Sequence, residues 1–122
     1  MSRYLILILF FSLISFVCKQ PAIIESNEAV GLLENDDYYF LDVRTLKEHN
    51  TKSIPNTACI PVQKIEQRIE EIVQYKDKKI IVYCRSGNRS GIATKILNQN
   101  GFDAYNMLGG MNGWKGEINQ KR

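Results

Sequence analysis

Between Lys79 and Gln99 the chain runs through an apolar β-branched segment, a cysteine, a turn rich in Gly, Asn and Arg, and a helical pattern. No other stretch constrains the fold as tightly. Ile80, Ile81, Val82 and Tyr83 form a short continuous apolar run, the pattern of a strand buried on both faces of a parallel sheet. The chain must then turn at Cys84. Past the turn, Ser90 reads as an N-cap, and Ile92, Ala93, Ile96 and Leu97 recur at helical spacing until Gly101 supplies a stop.

This order sets Cys84 between the carboxyl end of a strand and the amino end of a helix, where free N–H groups and a positive dipole end favour anions. Arg85 and Arg89 add fixed positive charge on either side of Gly87 and Asn88, residues that let a loop curl with its amides inward. Such surroundings predict a thiolate, its pKa drawn from about 8.5 into the range of roughly 3.5–7.5. The amides of Ser86 to Ser90 and the two guanidiniums would also hold a small oxyanion. A nucleophilic sulfur in an anion cradle suits a negatively charged substrate. The bland alternative, a buried apolar thiol at a strand end, is the usual fate of cysteine, and two arginines and a glycine in so short a turn argue against it.

The loop Cys84-Arg85-Ser86-Gly87-Asn88-Arg89-Ser90 resembles the active-site loop of single-domain rhodaneses, the thiosulfate sulfurtransferase-like domains. Leu41-Asp42-Val43-Arg44 and then Glu48 resemble that family's Asp-x-Arg strand end and following helix. Ile54-Pro55 and Ile60-Pro61 match its two Ile-Pro steps, and Leu108-Gly109-Gly110 with Trp114 matches its C-terminal signature. The resemblance implies Cys84 as nucleophile and persulfide carrier, Arg85 to Ser90 as the substrate-binding loop, and Asp42 and Arg44 as supports for that loop and its charge. An Asp-Arg pair that merely closes a turn is an equal reading of the last two.

The chain departs from the family at Lys52-Ser53-Ile54-Pro55-Asn56-Thr57, where Gly-His-Ile-Pro-Gly-Ala is usual, so the local turn depends on Asn56 taking a positive φ. His49, the one histidine, stands where the family tends to have an aromatic and reads as a half-exposed packing or surface residue. Cys59 reads as an inert thiol or, in an oxidising compartment, as a disulfide partner for Cys84. One histidine and three separated cysteines lack ligand spacing, so no metal and no cofactor is expected.

The chain's 122 residues suit one domain, and a net charge of +3 with basic residues scattered along it gives no nucleic-acid stripe. Residues 1–18 are different material: a positive start, an apolar run from Tyr4 to Val17, then Cys18-Lys19-Gln20-Pro21. That run is too short to cross a hydrocarbon core of roughly 30 Å and reads as the h-region of a signal peptide, so the domain is expected to be exported to a bacterial periplasm or cell envelope. Cys18 resembles the lipid-modified cysteine of bacterial lipoproteins, although Val17 and Phe16 are bulkier than that signal prefers. A membrane tether through Cys18, ordinary cleavage and an uncleaved anchor all remain open.

The rest divides into a linker at 19–25, a domain at 26–118 and a polar tail at 119–122. Ser26 reads as the cap of a short helix, Tyr38 to Val43 as a buried strand, and Asp103 to Met107 as another. Val62, Ile65, Ile69, Ile72 and Val73 fall on one face of an amphipathic helix. The βαβα order predicts an α/β fold, a central parallel sheet with helices on both faces. The reaction implied is sulfur transfer from a small anionic donor, thiosulfate or a persulfide, to cyanide or a thiol, in a monomer. Two alternatives stand beside it: a non-catalytic binding or persulfide-carrier module, and a cysteine phosphatase, whose Cys-x5-Arg loop would need arginine where this chain has Ser90.

Overall fold

The computed structural model describes residues 22–121. The readings made for residues 1–18, the export signal and the Cys18 tether, lie outside the described residues. The central sheet holds β1 (Ile23–Glu25), β2 (Tyr38–Asp42), β4 (Ala58–Cys59), β5 (Lys79–Tyr83) and β6 (Asp103–Leu108). They lie in the order β1-β6-β5-β2-β4, and every pairing is parallel. The remaining elements are α1 (Ser26–Val30), α2 (Leu46–Thr51), α3 (Asn88–Gln99), α4 (Gly110–Gly113), and a short antiparallel pair, β3 (Lys52–Ser53) with β7 (Asn119–Gln120).

β5 is the centre of the molecule, and its apolar run divides by pleat. Ile80 and Val82 join Leu41, Ile65, Ile72, Ala93 and Leu97 in one core cluster, while Ile81 and Tyr83 join Ala29, Phe40, Ile54, Met107 and Trp114 in the other. A strand covered on both faces has no use for polar side chains, hence its uninterrupted apolar sequence. From β2 the chain runs outward to β4; from β5 it runs the opposite way to β6. The order therefore reverses between β2 and β5, and the loops after these two strands flank the crevice where such sheets bind ligands.

Several local expectations change. The segment from Val62 to Val73 is not one helix but 3₁₀ turns at Val62–Lys64 and Ile69–Glu71, followed by a third at Val73–Tyr75. Arg68 (φ −112°) and Ile72 (φ −120°) leave helical space between them. Ile65 and Ile72 are buried, Tyr75 stacks on Tyr39 with ring centroids 3.8 Å apart, and Val73 is exposed. In α3 Ile92 faces solvent with 59% exposure, because the buried stripe is Ser90, Ala93, Thr94 and Leu97. Residues 23–25, read as linker, form an edge strand on β6, and residues 119–120, read as tail, pair with β3. Ser26 does not cap α1; its hydroxyl donates to Leu108 O at 2.7 Å and joins that helix to the C-terminal turn. Asn56 does take the left-handed conformation, φ +59°, so the turn after Pro55 survives without glycine.

Candidate active site

Cys84 follows β5 and keeps only 1% of its surface exposed. Its sulfur nevertheless has polar company: Gly87 N–H donates to Sγ at 3.1 Å, and Ser90 Oγ lies 3.3 Å away. Burial pushes the thiol pKa up, but the Ser90 hydroxyl and the amides of Ser90, Gly87 and Ser86 outweigh it, leaving the pKa below the ordinary cysteine value. Gly87 makes the curl possible at φ +114°, where a side chain would be strained. It also caps α3, which begins at Asn88 rather than after Ser90. Ser90 is thereby not a cap but a fully buried first-turn residue, free to turn its hydroxyl to the sulfur.

Asn106, on β6, belongs to the same cluster and has no place in the sequence reading. Its Nδ2 donates to Gly87 O at 3.1 Å, and its Oδ1 accepts from Ser90 Oγ at 2.6 Å. A hydroxyl carries one proton. While that proton goes to Asn106, Ser90 can only accept from the Cys84 thiol; to stabilise the ionised sulfur, the proton has to turn to Sγ. The available signal was an asparagine, a residue depleted in strands, in the interior of a strand between Tyr105 and Met107.

The C-terminal turn closes the loop from the other side. Met111 N–H donates to Cys84 O at 2.9 Å and Asn112 N–H to Arg85 O at 3.1 Å. A Cβ on Gly110 would sit 2.5 Å from Cys84 O and 2.7 Å from Arg85 C, so only glycine permits this approach of backbone to backbone.

The two arginines do different things. Arg85 is exposed and forms no ion pair among the described residues. Arg89 is held by Glu48 of α2, Nη1 to Oε1 at 2.7 Å and Nη2 to Oε2 at 2.9 Å. That bidentate pair, with the Thr45 backbone and hydroxyl, pulls the Glu48 pKa down to about 2 against burial. Thr45 and Glu48 form a capping box, which fixes the carboxylate opposite the loop. Of the two guanidiniums expected beside the loop, that of Arg89 is thus engaged by Glu48 and that of Arg85 is exposed.

Asp42 ends β2 and Arg44 follows two residues later, both buried. Asp42 accepts from Arg44 N and Nε at 3.0 Å and from Arg44 Nη2 at 2.8 Å, while Arg44 Nη2 also donates to Lys52 O at 2.6 Å. His49 Nδ1 stands 2.9 Å from Asp42 Oδ2, a polar role rather than a packing one. Among the described residues this network makes no hydrogen bond to the Cys84 loop; it fastens the end of β2 to α2 and β3. Asp42, His49 and Cys59 also bring a carboxylate, an imidazole and a thiol within 4.8 Å of one another, a cluster invisible to sequence spacing. A cation there would meet the Arg44 guanidinium on the same carboxylate, and burial with the Asp42 charge pushes the Cys59 thiol up to about 11. These residues fit a hydrogen-bonded network better than a metal centre.

The disulfide reading for Cys59 and Cys84 fails on geometry. Cys59 is paired with Asp42, and Asp42 with Tyr83, so β2 lies between the two cysteines. Two strand spacings, about 10 Å, exceed what a disulfide spans.

Comparison with known proteins agrees with this architecture. The chain is 36% identical over 84 residues to a sulfurtransferase of Allochromatium vinosum, covering 68% of this chain and 77% of that protein. It is 29% identical over 73 residues to the thiosulfate sulfurtransferase PspE of Escherichia coli, covering 60% and 70%. A crystal structure of a rhodanese-like domain protein from Staphylococcus aureus superimposes with a TM-score of 0.71 at 33% identity, over 81% of this chain and 97% of that one. The Rhodanese-like domain family matches residues 25–117, and the chain belongs to it.

Proposed function

We propose that this domain is a sulfurtransferase working through a persulfide on Cys84. The Cys84 thiolate attacks the outer sulfur of thiosulfate; a bond forms between Sγ and that sulfur, the donor's S–S bond breaks, and its electron pair leaves with sulfite. Cyanide or a thiol then attacks the outer sulfur of the persulfide and returns the electron pair to Sγ. The supporting observation is the sulfur's setting: a thiol nine-tenths and more buried, yet met by Gly87 N–H and the Ser90 hydroxyl, so that its anionic form is favoured despite burial. The amides that hold the thiolate hold the persulfide anion in the same way. Arg85 is the cation available to the donor's oxyanion, and Arg89, tied to Glu48, braces the loop. The donor enters past the exposed side chains of Arg85, Ser86 and Asn88.

A phosphatase reading is disfavoured by position 90, where the guanidinium of a Cys-x5-Arg loop would stand; the buried Ser90 hydroxyl occupies it and is bonded to Asn106. Incubation of reduced protein with thiosulfate should add the mass of one sulfur atom to Cys84, and cyanide should remove it. Cys84→Ser should take no sulfur while melting near the wild-type temperature. Unmodified wild-type protein would favour the binding-module reading, and hydrolysis of an aryl phosphate would favour the phosphatase. An export signal over residues 1–18 is part of the same proposal, and a mature protein that still begins at Met1 would remove it.

A further inference from the structure

Beside the Cys84 loop runs an open groove of about 580 Å³, lined by Arg44, Lys47, Glu48, Thr51, Lys52, Arg85, Met111, Asn112 and Trp114. Its charge is one-sided. Glu48, its one acid, is neutralised by Arg89, and Arg44 by Asp42. Lys47, Lys52 and Arg85 are exposed and form no ion pair among the described residues, so the groove presents three unbalanced cations above an apolar floor of Met111 and Trp114. It borders the reactive loop: Arg85 lines it, and Met111 and Asn112 donate backbone N–H groups to the carbonyls of Cys84 and Arg85. Thiosulfate and cyanide are far too small to need it. Its volume falls within the range of roughly 300–1,000 Å³ of small-molecule sites.

We infer that this groove binds the sulfur acceptor, and that the acceptor is a small thiol carrying two carboxylates, which Lys47 and Lys52 receive while its sulfur reaches position 84. The inference rests on the sulfurtransferase reading and specifies its second step. The acceptor thiol attacks the outer sulfur of the Cys84–S–S⁻ anion and passes its own proton to that sulfur; the new S–S bond forms, the bond from Sγ to the outer sulfur breaks, and the electron pair stays on Sγ. The products are an acceptor persulfide and the Cys84 thiolate. Arg85, next to the nucleophile, is shared between donor and acceptor; the two lysines serve the acceptor alone.

The test loads the full-length protein with thiosulfate and follows discharge of Cys84 persulfide to mercaptosuccinate, to uncharged mercaptoethanol and to cyanide, in wild type and in the double variant Lys47→Gln/Lys52→Gln. Comparing the ratio of the two thiols between the proteins cancels their intrinsic nucleophilicities. Two exposed ion pairs should give the wild type roughly a tenfold higher relative efficiency with mercaptosuccinate. The variant should lose that preference and keep its cyanide rate, and added salt should erode the preference in wild type. The same ratio in both proteins, or an equal fall with all three acceptors, overturns the inference. Failure of Cys84 to take up sulfur at all is a different result and strikes the sulfurtransferase reading itself.

Discussion

Ser90 has one hydroxyl proton and two claimants, Asn106 Oδ1 at 2.6 Å and Cys84 Sγ at 3.3 Å. Which of them holds it decides whether Ser90 supports the thiol or the thiolate, so Ser90 sets the reactivity of the sulfur although it is never itself the nucleophile. Ser90→Ala removes the one side-chain donor to Sγ among the described residues and should raise the Cys84 pKa, shifting the midpoint of iodoacetamide alkylation to higher pH; an unchanged midpoint would assign the low pKa to the backbone amides alone. Cys59, with its pKa pushed up to about 11, should stay unmodified at neutral pH and act as the internal reference. Cys84 and Gly87 were readable from residue type and order, because strand, turn and helix follow one another without interruption. Ser90's direction was not, because a serine at the start of a helix caps it or enters it according to where the preceding glycine places the first turn, and that is set by Asn106 on another strand.

Among elements, the covering segment after β4 shows how far periodicity reaches. Its apolar spacing suits a helix, yet of its apolar residues Ile65 and Ile72 are the fully buried ones, with Val62, Ile69 and Tyr75 half-buried against the core and Tyr75 stacked on Tyr39. Backbone bonds there run mostly from i to i+3, as from Ile72 N to Ile69 O and from Tyr75 N to Ile72 O, with one i to i+4 bond from Arg68 N to Lys64 O, so the side chains do not share one straight face. Ile65→Ala should therefore cost about 2–5 kcal/mol of unfolding free energy, whereas Val73→Ala, 39% exposed, should cost about 0.5 kcal/mol or less. Denaturant unfolding of the two variants checks this, and a single amphipathic helix would make both costly. β-branched residues crowd this segment and are stiff at χ1, a property that weakens a helix without naming its replacement.

Across the whole molecule, the Glu48–Arg89 pair joins α2 to the start of α3, two elements brought together by the side-by-side pairing of the strands that precede them, β2 and β5. Glu48 is depressed to about 2 in the folded protein, below its ordinary carboxylate range, so the pair contributes stability that is fully present above about pH 4.5 and lost as pH falls toward 2. The groups are about a third exposed and solvent screening limits the contribution to about 1 kcal/mol. Glu48→Gln should flatten that part of the stability-versus-pH curve in denaturant titrations while leaving neutral-pH sulfur uptake within a few-fold; an unchanged acid limb would deny the pair any role. The amino-acid sequence by itself determined the parallel α/β sheet, the place of Cys84 at its carboxyl edge and the curl that Gly87 allows, since each follows from local pattern within a few residues. Only the tertiary structure decided that Arg89 answers to Glu48 while Arg85 has no ion-pair partner among the described residues, that Asn106 claims the Ser90 proton, and that β2 keeps Cys59 out of reach of Cys84. Those contacts join residues 16 to 41 positions apart or lie across a strand, and no local rule of spacing carries information over that distance.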